Sequence, residues 1–322
     1  MSAFRGQILV IRGGAIGDFI LTLPAIAALR RQFPSAWLEV LGYPHIVQLA
    51  IAGGLVDQAS SIEARALAGF FARGGQLAEE LMDYFSGFDL IISYLYDPDR
   101  IFQTNVGLCS PAQFIVGPHR PDERAGVHAA KVYLKPLERL AIFDADFVPE
   151  LRIGPAAGLS LRLAGQALEK RGVVPTLVLH PGSGSDQKNW PEACWAKLLE
   201  WLIHETSLNL LLVGGEAEGE RLQRLAAALP PIRTRVAQSL PLADLAGLLA
   251  GCNFFVGHDS GISHLAAAVG LPGLILWGDT TEAIWRPPSA KVSVIRHPAG
   301  LERLPVASVT QPIATMFGLA RP

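Results

Sequence analysis

Residues 7–33 read QILVIRGGAIGDFILTLPAIAALRRQF, and this stretch indicates the fold class. Gln7–Arg12 is a short apolar run that ends in glycines, which predicts a β-strand followed by a tight turn. Asp18–Phe33 reads as a helix, and Pro24 inside it predicts either a kink or a late start. A strand that runs through a glycine-rich turn into a helix is typical of the start of a β-α-β unit.

The alternation of apolar runs and amphipathic segments continues along the chain. Further strands are predicted at Trp37–Gly42, Leu90–Tyr94, Thr176–His180, Leu208–Val213, Asn253–Gly257, Gly273–Trp277 and Val292–Arg296. Further helices are predicted at Gln76–Phe85, Glu192–His204, Glu216–Leu229, Leu242–Ala250, Ile262–Val269 and Val309–Leu319. This order predicts an α/β protein whose parallel sheets are buried on both faces by helices.

The length predicts more than one domain. The chain has 322 residues, and a typical domain has roughly 100–200. Glycine-containing segments at residues 154–158 and 172–175 flank a helical stretch, and we place the connection there. The predicted N-terminal domain is therefore residues 1–160 and the C-terminal domain residues 161–305, followed by a last segment at residues 306–322.

Composition restricts the partners and the compartment. The net charge of −2, with lysine and arginine spread along the chain, argues against nucleic acid as a partner. The cysteines at positions 109, 194 and 252 are odd in number and far apart, which is typical of free thiols in a reducing compartment. No export signal and no apolar run long enough to span a membrane are visible, so we expect a cytoplasmic protein.

The first chemical motif is Ile8-Leu-Val-Ile-Arg-Gly-Gly-Ala-Ile-Gly-Asp18. Its glycines allow a tight turn and a close ligand, and a carboxylate at a helix start is favoured by the helix dipole. The spacing does not match the dinucleotide pattern G-x-G-x-x-G, so a dehydrogenase is a poor fit. The alternative interpretation of Asp18 is a helix cap without a catalytic role.

The second motif is His180-Pro-Gly-Ser-Gly-Ser-Asp-Gln-Lys188-Asn-Trp-Pro-Glu192, between a predicted strand and a predicted helix. Ser183, Gly184 and Ser185 offer hydroxyl and amide donors, and Lys188 adds a positive charge. Such a loop can hold a phosphate through charge-assisted hydrogen bonds. A solvated polar surface loop is the other interpretation of this stretch.

The third motif is Phe254-Phe-Val-Gly-His-Asp-Ser-Gly-Ile-Ser-His264-Leu-Ala-Ala-Ala-Val-Gly270. Asp259 or Ser260 can cap the predicted helix, and the amides after Gly261 form an anion site at its N-terminus. His264 lies one turn further along. The alternative is an ordinary capped helix with a core histidine.

All three motifs follow predicted strands, where ligands bind in open α/β sheets. Together with Val213-Gly-Gly-Glu-Ala-Glu218, they resemble glycosyltransferase family 9, the bacterial heptosyltransferases, in the same order along nearly the whole chain. The resemblance implies a GT-B type fold, in which two doubly wound Rossmann-like domains face each other across a cleft. The N-terminal domain would take the acceptor, the C-terminal domain the nucleotide sugar, and residues 306–322 would form a helix that returns to the N-terminal domain.

The resemblance also implies an activity: inverting transfer of a heptose from ADP-heptose to a hydroxyl of a lipopolysaccharide core acceptor. The partners would be a nucleotide-sugar donor and a lipid-linked oligosaccharide. No cofactor and no metal ion are expected, since the ADP-sugar is a substrate. Because the acceptor would be lipid-linked, the resemblance also allows peripheral contact of the protein with the inner face of the inner membrane.

Roles for particular residues follow from the same resemblance. Asp18 would be the general base, Lys188 a contact of the diphosphate and Glu218 a contact of the ribose. The other expected donor-binding residues are Ser183, Gly184, Ser185, Asp259, Ser260, Gly261 and His264. The expected acceptor-side residues are Arg12, Gly14, Arg120 and His128, although charge patterning alone equally allows a solvated basic loop at the last two.

One segment departs from the family pattern. The family usually reads Gly-Pro-Thr-Asp-Pro after the next strand, and this chain reads Gly278-Asp-Thr-Thr-Glu282. Because that loop lies near the donor in the family, the sugar and the nucleotide stay open. The alternatives are a related transferase that uses another nucleotide sugar or a protein acceptor, and a non-catalytic sugar-nucleotide-binding protein.

Overall fold

The structure, a computed structural model, describes residues 4–154, 174–185 and 188–319. The chain divides into two units, Met1–Arg152 and Ile153–Pro322. The predicted boundary between residues 160 and 161, and the helical stretch predicted beside it, lie outside the described residues. Two units are nevertheless what the chain length predicted.

The first unit is built around a parallel five-stranded sheet in the order β3-β2-β1-β4-β5. Its strands are β1 (Gln7–Arg12), β2 (Trp37–Gly42), β3 (Gln58–Ser61), β4 (Leu90–Ser93) and β5 (Gln113–Val116). Its described α-helices are α1 (Ile16–Gln32), α2 (Pro44–Ala52), α3 (Glu79–Ser86), α4 (Ile101–Gly107) and α5 (Ala129–Leu134), with 3-10 helices at Arg65–Phe71, Glu123–Ala125 and Lys135–Leu140.

The second unit is built around a parallel six-stranded sheet in the order β11-β10-β9-β6-β7-β8. Its strands are β6 (Thr176–His180), β7 (Asn209–Gly214), β8 (Thr234–Gln238), β9 (Phe254–His258), β10 (Gly273–Leu276) and β11 (Val292–Ile295). Its described α-helices are α6 (Glu192–Glu205), α7 (Gly219–Ala227), α8 (Leu242–Ala250), α9 (Gly261–Ala268), α10 (Glu282–Trp285) and α11 (Ala307–Met316), with a 3-10 helix at Leu301–Arg303.

The buried central strands explain the apolar runs in the sequence. In β1 and in β2 every residue after the first is buried, because a parallel sheet is covered by helices on both faces. All five residues of β9 are buried as well. The predicted fold class, α/β with two doubly wound sheets, is confirmed.

Two details of the helices bear on the predictions. Helix α1 begins at Ile16 and contains Pro24, so the late start predicted from this proline is wrong.

In helix α11, Val309 and Ile313 are fully buried in the hydrophobic core of the second unit, which also includes residues of α6. The return of residues 306–322 to the N-terminal domain stays a prediction.

Candidate active site

The three predicted loops follow strands that border the topological switch points of the two sheets, where the strand order reverses. In the first unit this point lies between β1 and β4, and the Asp18 loop follows β1. In the second unit it lies between β6 and β9, whose ends pair His180 with Gly257. The loops after these two strands are therefore neighbours. Open parallel sheets bind ligands at such switch points, so the topology supports a binding site in each unit.

Asp18 lies in the first turn of α1 and is partly exposed. Its Oδ2 accepts a hydrogen bond from the Ala15 amide at 3.3 Å, which satisfies one of the donors at the start of the helix. Gly14, with φ of +104°, precedes it, and a Cβ there would lie 3.3 Å from Asp18 Oδ2. Glycine therefore allows the turn and leaves space beside this oxygen.

Two buried side chains lie against the other carboxylate oxygen of Asp18. Arg12 Nη2 is 3.4 Å from Oδ1, and the Tyr133 hydroxyl donates to Oδ1 at 3.3 Å. The Asp18 side chain is 29% exposed and that of Arg12 only 3%. No local motif in the sequence indicates Tyr133, because 115 residues separate it from Asp18.

The other two acceptor-side candidates have local structural roles in the first unit. Arg120 is exposed and pairs with Glu123 at 3.3 Å. His128 caps α5, since its Nδ1 accepts a hydrogen bond from the Ala130 amide at 3.2 Å. Neither observation tests contact with an acceptor, which stays a prediction for both residues.

In the second unit, Lys188 and Asp259 form an ion pair. Lys188 Nζ lies 2.8 Å from Asp259 Oδ2, and the same oxygen accepts a hydrogen bond from the Thr280 hydroxyl at 2.6 Å. The Asp259 side chain is only 10% exposed, whereas that of Lys188 is 36% exposed. The structure thus joins three loops, those after β6, β9 and β10, at one carboxylate. Thr280 belongs to the loop that departs from the family pattern.

The start of α9 adjoins this ion pair. Ser260 is the N-cap residue, and its side chain accepts from the Ser263 amide at 3.4 Å. Gly261 is the first residue of the helix, and His264 is buried on its first turn. The first amides of a helix carry partial positive charge, so an anion is stabilised beside Lys188.

Glu218 ties the second motif to the loop after β7. Its two carboxylate oxygens accept hydrogen bonds from the amides of Gly184 at 3.3 Å and Gly215 at 2.9 Å. A Cβ at Gly182 would lie 2.1 Å from Glu218 Cγ, so a larger residue there would displace the Glu218 side chain. Within the loop, Ser183 Oγ donates to the Ser185 carbonyl at 2.8 Å. The structure brings these predicted residues together, and ribose contact by Glu218 stays a prediction.

Two histidines beneath the loops are buried and neutral. The Trp190 amide donates to His258 Nε2 at 2.8 Å, so the proton of this ring is on Nδ1, which lies 3.1 Å from the Gly182 carbonyl. Burial lowers the pKa of His258 to about 3 and that of His180 to about 4. His180 belongs to the second motif and His258 to the third, and the contacts of His258 with Trp190 and Gly182 hold the second motif in place.

A cavity of about 610 Å³ is lined by the Thr280 loop and by two arginines. Its lining residues are Asp279, Thr280, Thr281, Glu282, Ala283, Arg286 and Arg296. Arg286 pairs with Glu282 at 3.2 Å, so the lining combines both charges with hydroxyl groups. Such a lining suits a polar ligand with several hydroxyls.

Comparison with known proteins identifies the family. The sequence model described as glycosyltransferase family 9 (heptosyltransferase) matches residues 141–309, just over half of the chain. The chain belongs to glycosyltransferase family 9. Within this family 9 chain, the matched range includes the second and third motifs and Glu218, whereas Asp18 lies outside it.

Individual family 9 relatives extend the match. Lipopolysaccharide heptosyltransferase 1 of Pseudomonas aeruginosa is 42% identical over 106 residues, which span 33% of this chain and 29% of that protein. Lipopolysaccharide heptosyltransferase 3 of Escherichia coli is 22% identical over 295 residues, 84% of this chain and 83% of the relative. The structure of the E. coli ADP-heptose LPS heptosyltransferase II matches with a TM-score of 0.77 at 20% identity and covers 96% of this chain and 98% of that one. This likeness confirms the predicted GT-B type fold.

Neither a metal-binding cluster nor a membrane-spanning helix is found among the described residues of this family 9 chain. Among residues 4–154, 174–185 and 188–319, no group of three or more histidine, cysteine, aspartate or glutamate side chains could hold a metal ion. None of the described helices is both long and apolar enough to cross a bilayer. Metal independence and peripheral membrane contact stay predictions.

Proposed function

We propose that this chain transfers a heptose from ADP-heptose to a hydroxyl of a lipopolysaccharide core acceptor, with inversion at the anomeric carbon and with Asp18 as general base. The observation that carries the proposal is the Lys188–Asp259 pair at the start of α9. It puts a lysine ammonium and the first amides of a helix at one switch point. An ammonium and helix amides together can bind a diphosphate without a metal ion.

The second unit would bind the donor. Lys188 and the amide of Gly261 would stabilise the charge that develops on the departing diphosphate. Because Lys188 pairs with Asp259, the diphosphate must draw the ammonium away or share it. Glu218 would accept from the ribose hydroxyls once the donor is present. The relative in E. coli named for ADP-heptose supports this choice of nucleotide sugar.

The first unit would supply the base. Asp18 would take the proton from the acceptor hydroxyl as that oxygen attacks the anomeric carbon and ADP leaves from the opposite face. General base assistance gives roughly 10²–10⁴-fold, and the remainder would come from orientation and from stabilisation of the leaving group. The proposal requires Asp18 and the donor residues to act on the same anomeric carbon.

The loop at Gly278–Glu282 supports a second candidate, a family 9 transferase for another nucleotide sugar. Asp279, Thr281 and Glu282 replace the usual residues of this loop and line the 610 Å³ cavity. Since Thr280 connects this loop to Asp259, a different sugar could be selected beside the same diphosphate site.

One assay separates these candidates. Purified protein is incubated with ADP-heptose and a panel of truncated lipopolysaccharides, and ADP release is measured alongside the mass of the product. The same panel is repeated with other ADP-, UDP- and GDP-sugars and with protein acceptors. Turnover with ADP-heptose and a truncated lipopolysaccharide supports the proposal, whereas turnover with another donor supports the second candidate. ADP binding without turnover of any donor would indicate a non-catalytic binding protein.

A further inference from the structure

The two carboxylate oxygens of Asp18 have different protein neighbours. Arg12 Nη2 and the Tyr133 hydroxyl both lie against Oδ1, at 3.4 Å and 3.3 Å. Oδ2 accepts from the Ala15 amide at 3.3 Å and borders the space that Gly14 leaves open. The two carboxylate oxygens therefore have different surroundings.

Arg12 is fixed so firmly that it cannot serve as a mobile contact. Its Nη1 donates to the carbonyls of His119 at 2.9 Å and Tyr94 at 3.4 Å, and its side chain is 3% exposed. Its guanidinium carbon lies 4.6 Å from the centroid of the Tyr133 ring. A buried guanidinium needs a counter-ion, and Asp18 is its ion-pair partner among the described residues.

Tyr133 is fixed at both ends. Its side chain is fully buried on α5, and its backbone carbonyl accepts a hydrogen bond from the Tyr94 hydroxyl at 2.6 Å. Burial raises the pKa of Tyr133 to about 12, so near neutral pH its hydroxyl keeps its proton and donates to Asp18. Tyr133 therefore cannot replace Asp18 as the base.

We infer that Tyr133 and Arg12 are positioning residues that clamp Asp18 through Oδ1 and so present Oδ2 to the acceptor hydroxyl. This inference rests on the proposed function and deepens it. Arg12, which is expected on the acceptor side, would then act through Asp18 rather than by contact with the acceptor. A base held in one orientation needs no reorganisation when the proton is transferred, which is the physical advantage of the clamp.

The test is a double-mutant cycle on turnover between Tyr133→Phe and Asp18→Asn. The phenylalanine keeps the ring over Arg12 and removes only the hydroxyl. In the Asp18 background we expect kcat to fall about 10-fold. This is near the lower end of the range of effects for hydrogen bonds to charged groups, because the bond from Tyr133 to Asp18 is long. In the Asp18→Asn background the same change should lower the residual kcat less than twofold, because a residue that acts through Asp18 has nothing left to position.

Tyr84→Phe is the matched control. It removes another tyrosine hydroxyl of the first unit that donates to a carboxylate, that of Glu39 and not that of Asp18. We expect its effect on kcat to be the same factor in both backgrounds. The clamp is wrong if Tyr133→Phe also lowers kcat by the same factor in both backgrounds.

A second route keeps the test valid if Tyr133→Phe folds poorly. Arg12→Met removes the other contact of Oδ1, and combined with Asp18→Asn it leaves no buried charge unpaired. We expect Arg12→Met to lower kcat and the urea midpoint strongly when Asp18 is present, and only weakly in the Asp18→Asn background. Equal losses in both backgrounds would overturn the clamp.

Failure of the proposed function and failure of the clamp give different experimental results. If Asp18→Asn alone keeps near-normal turnover, or the unmodified protein does not turn over ADP-heptose, the proposed function fails. The urea midpoints of the same cycles need no substrate and still test the clamp in that case. Additive shifts in the midpoints would then reject it.

Discussion

Replacing Lys188 by methionine tests the donor site, because it removes the ammonium and keeps most of the aliphatic stem. Lys188 Nζ lies 2.8 Å from Asp259 Oδ2, so ADP must compete with a carboxylate for this charge. Lys188 is 36% exposed but Asp259 only 10%, so the variant also loses some folding stability because a largely buried carboxylate is left without its ammonium. The comparison of ADP with AMP isolates the effect on binding.

The expected magnitude follows from the charge of the distal phosphate. Loss of one charge-assisted hydrogen bond weakens ADP binding by about 1.5–3 kcal/mol, or about 10- to 150-fold. The variant also leaves the Asp259 carboxylate without its ammonium beside the diphosphate, which adds repulsion. We therefore expect Asp259→Asn to recover part of the ADP affinity when it is combined with Lys188→Met. AMP lacks the distal phosphate, so its affinity should fall much less.

Titration calorimetry with ADP and AMP on the same proteins measures this difference. Lys197→Met is the matched control, because Lys197 is an exposed lysine on the neighbouring helix α6. It should leave both affinities unchanged. Misfolding of the Lys188 variant would weaken both ligands alike, and a thermal unfolding curve would reveal it. Equal losses for ADP and AMP, or no loss for either, would remove Lys188 from the site.

Three further predictions concern the metal, the Thr280 loop and acid stability. Turnover should persist in excess EDTA, and a loss that added magnesium or manganese restores would refute metal independence. Thr280→Val should lower kcat/KM for the donor about 5- to 10-fold, because the Thr280 hydroxyl donates to Asp259. Thr280→Ser keeps the hydroxyl and should recover the activity, and equal impairment of the serine variant would refute the prediction. The urea midpoint of unfolding should be lower at pH 5 than at pH 7. The pKa values of His258 and His180 lie at about 3 and 4 in the folded protein and near 6.5 in the unfolded chain. The unfolded chain then binds more protons, so the stability from each histidine is complete above about pH 6.5 and is lost, by up to about 1.4 kcal/mol per pH unit, as the pH falls towards 4. His258→Gln should reduce this dependence of stability on pH, whereas His204→Gln, at an exposed position, should not. Equal pH dependence in the unmodified protein and both variants would contradict the prediction.

The sequence predicted the central strands well because their environment is encoded locally. Strands β1, β2 and β6 begin and end at the predicted residues, since burial on both faces demands continuous apolar runs. The missed strands are β3, β5 and β8, each at the edge of a sheet. An edge strand has one neighbour and is partly exposed, so β3 could form from the polar stretch Gln58–Ser61.

The contents of each loop were easier to predict than the contacts between loops. Asp18, Lys188 and Asp259 were identified because glycine-rich turns and helix starts mark strand ends. Partners brought by distant elements left no local signal. Tyr133 comes from a six-residue helix that had not been predicted, and the bond from Thr280 to Asp259 spans 21 residues between neighbouring strands. Such pairs exist only once the sheet order is known.

The most direct test of the proposed function is turnover of ADP-heptose by the unmodified protein and by Asp18→Asn, measured as ADP release with a truncated lipopolysaccharide acceptor. The asparagine has nearly the same shape and cannot accept the proton. We predict that the unmodified protein releases ADP together with a product heavier by one heptose, and that Asp18→Asn lowers kcat at least about 100-fold while its affinity for ADP stays within about twofold. Near-normal turnover by Asp18→Asn, with the same product, would contradict the assignment of Asp18 as the base.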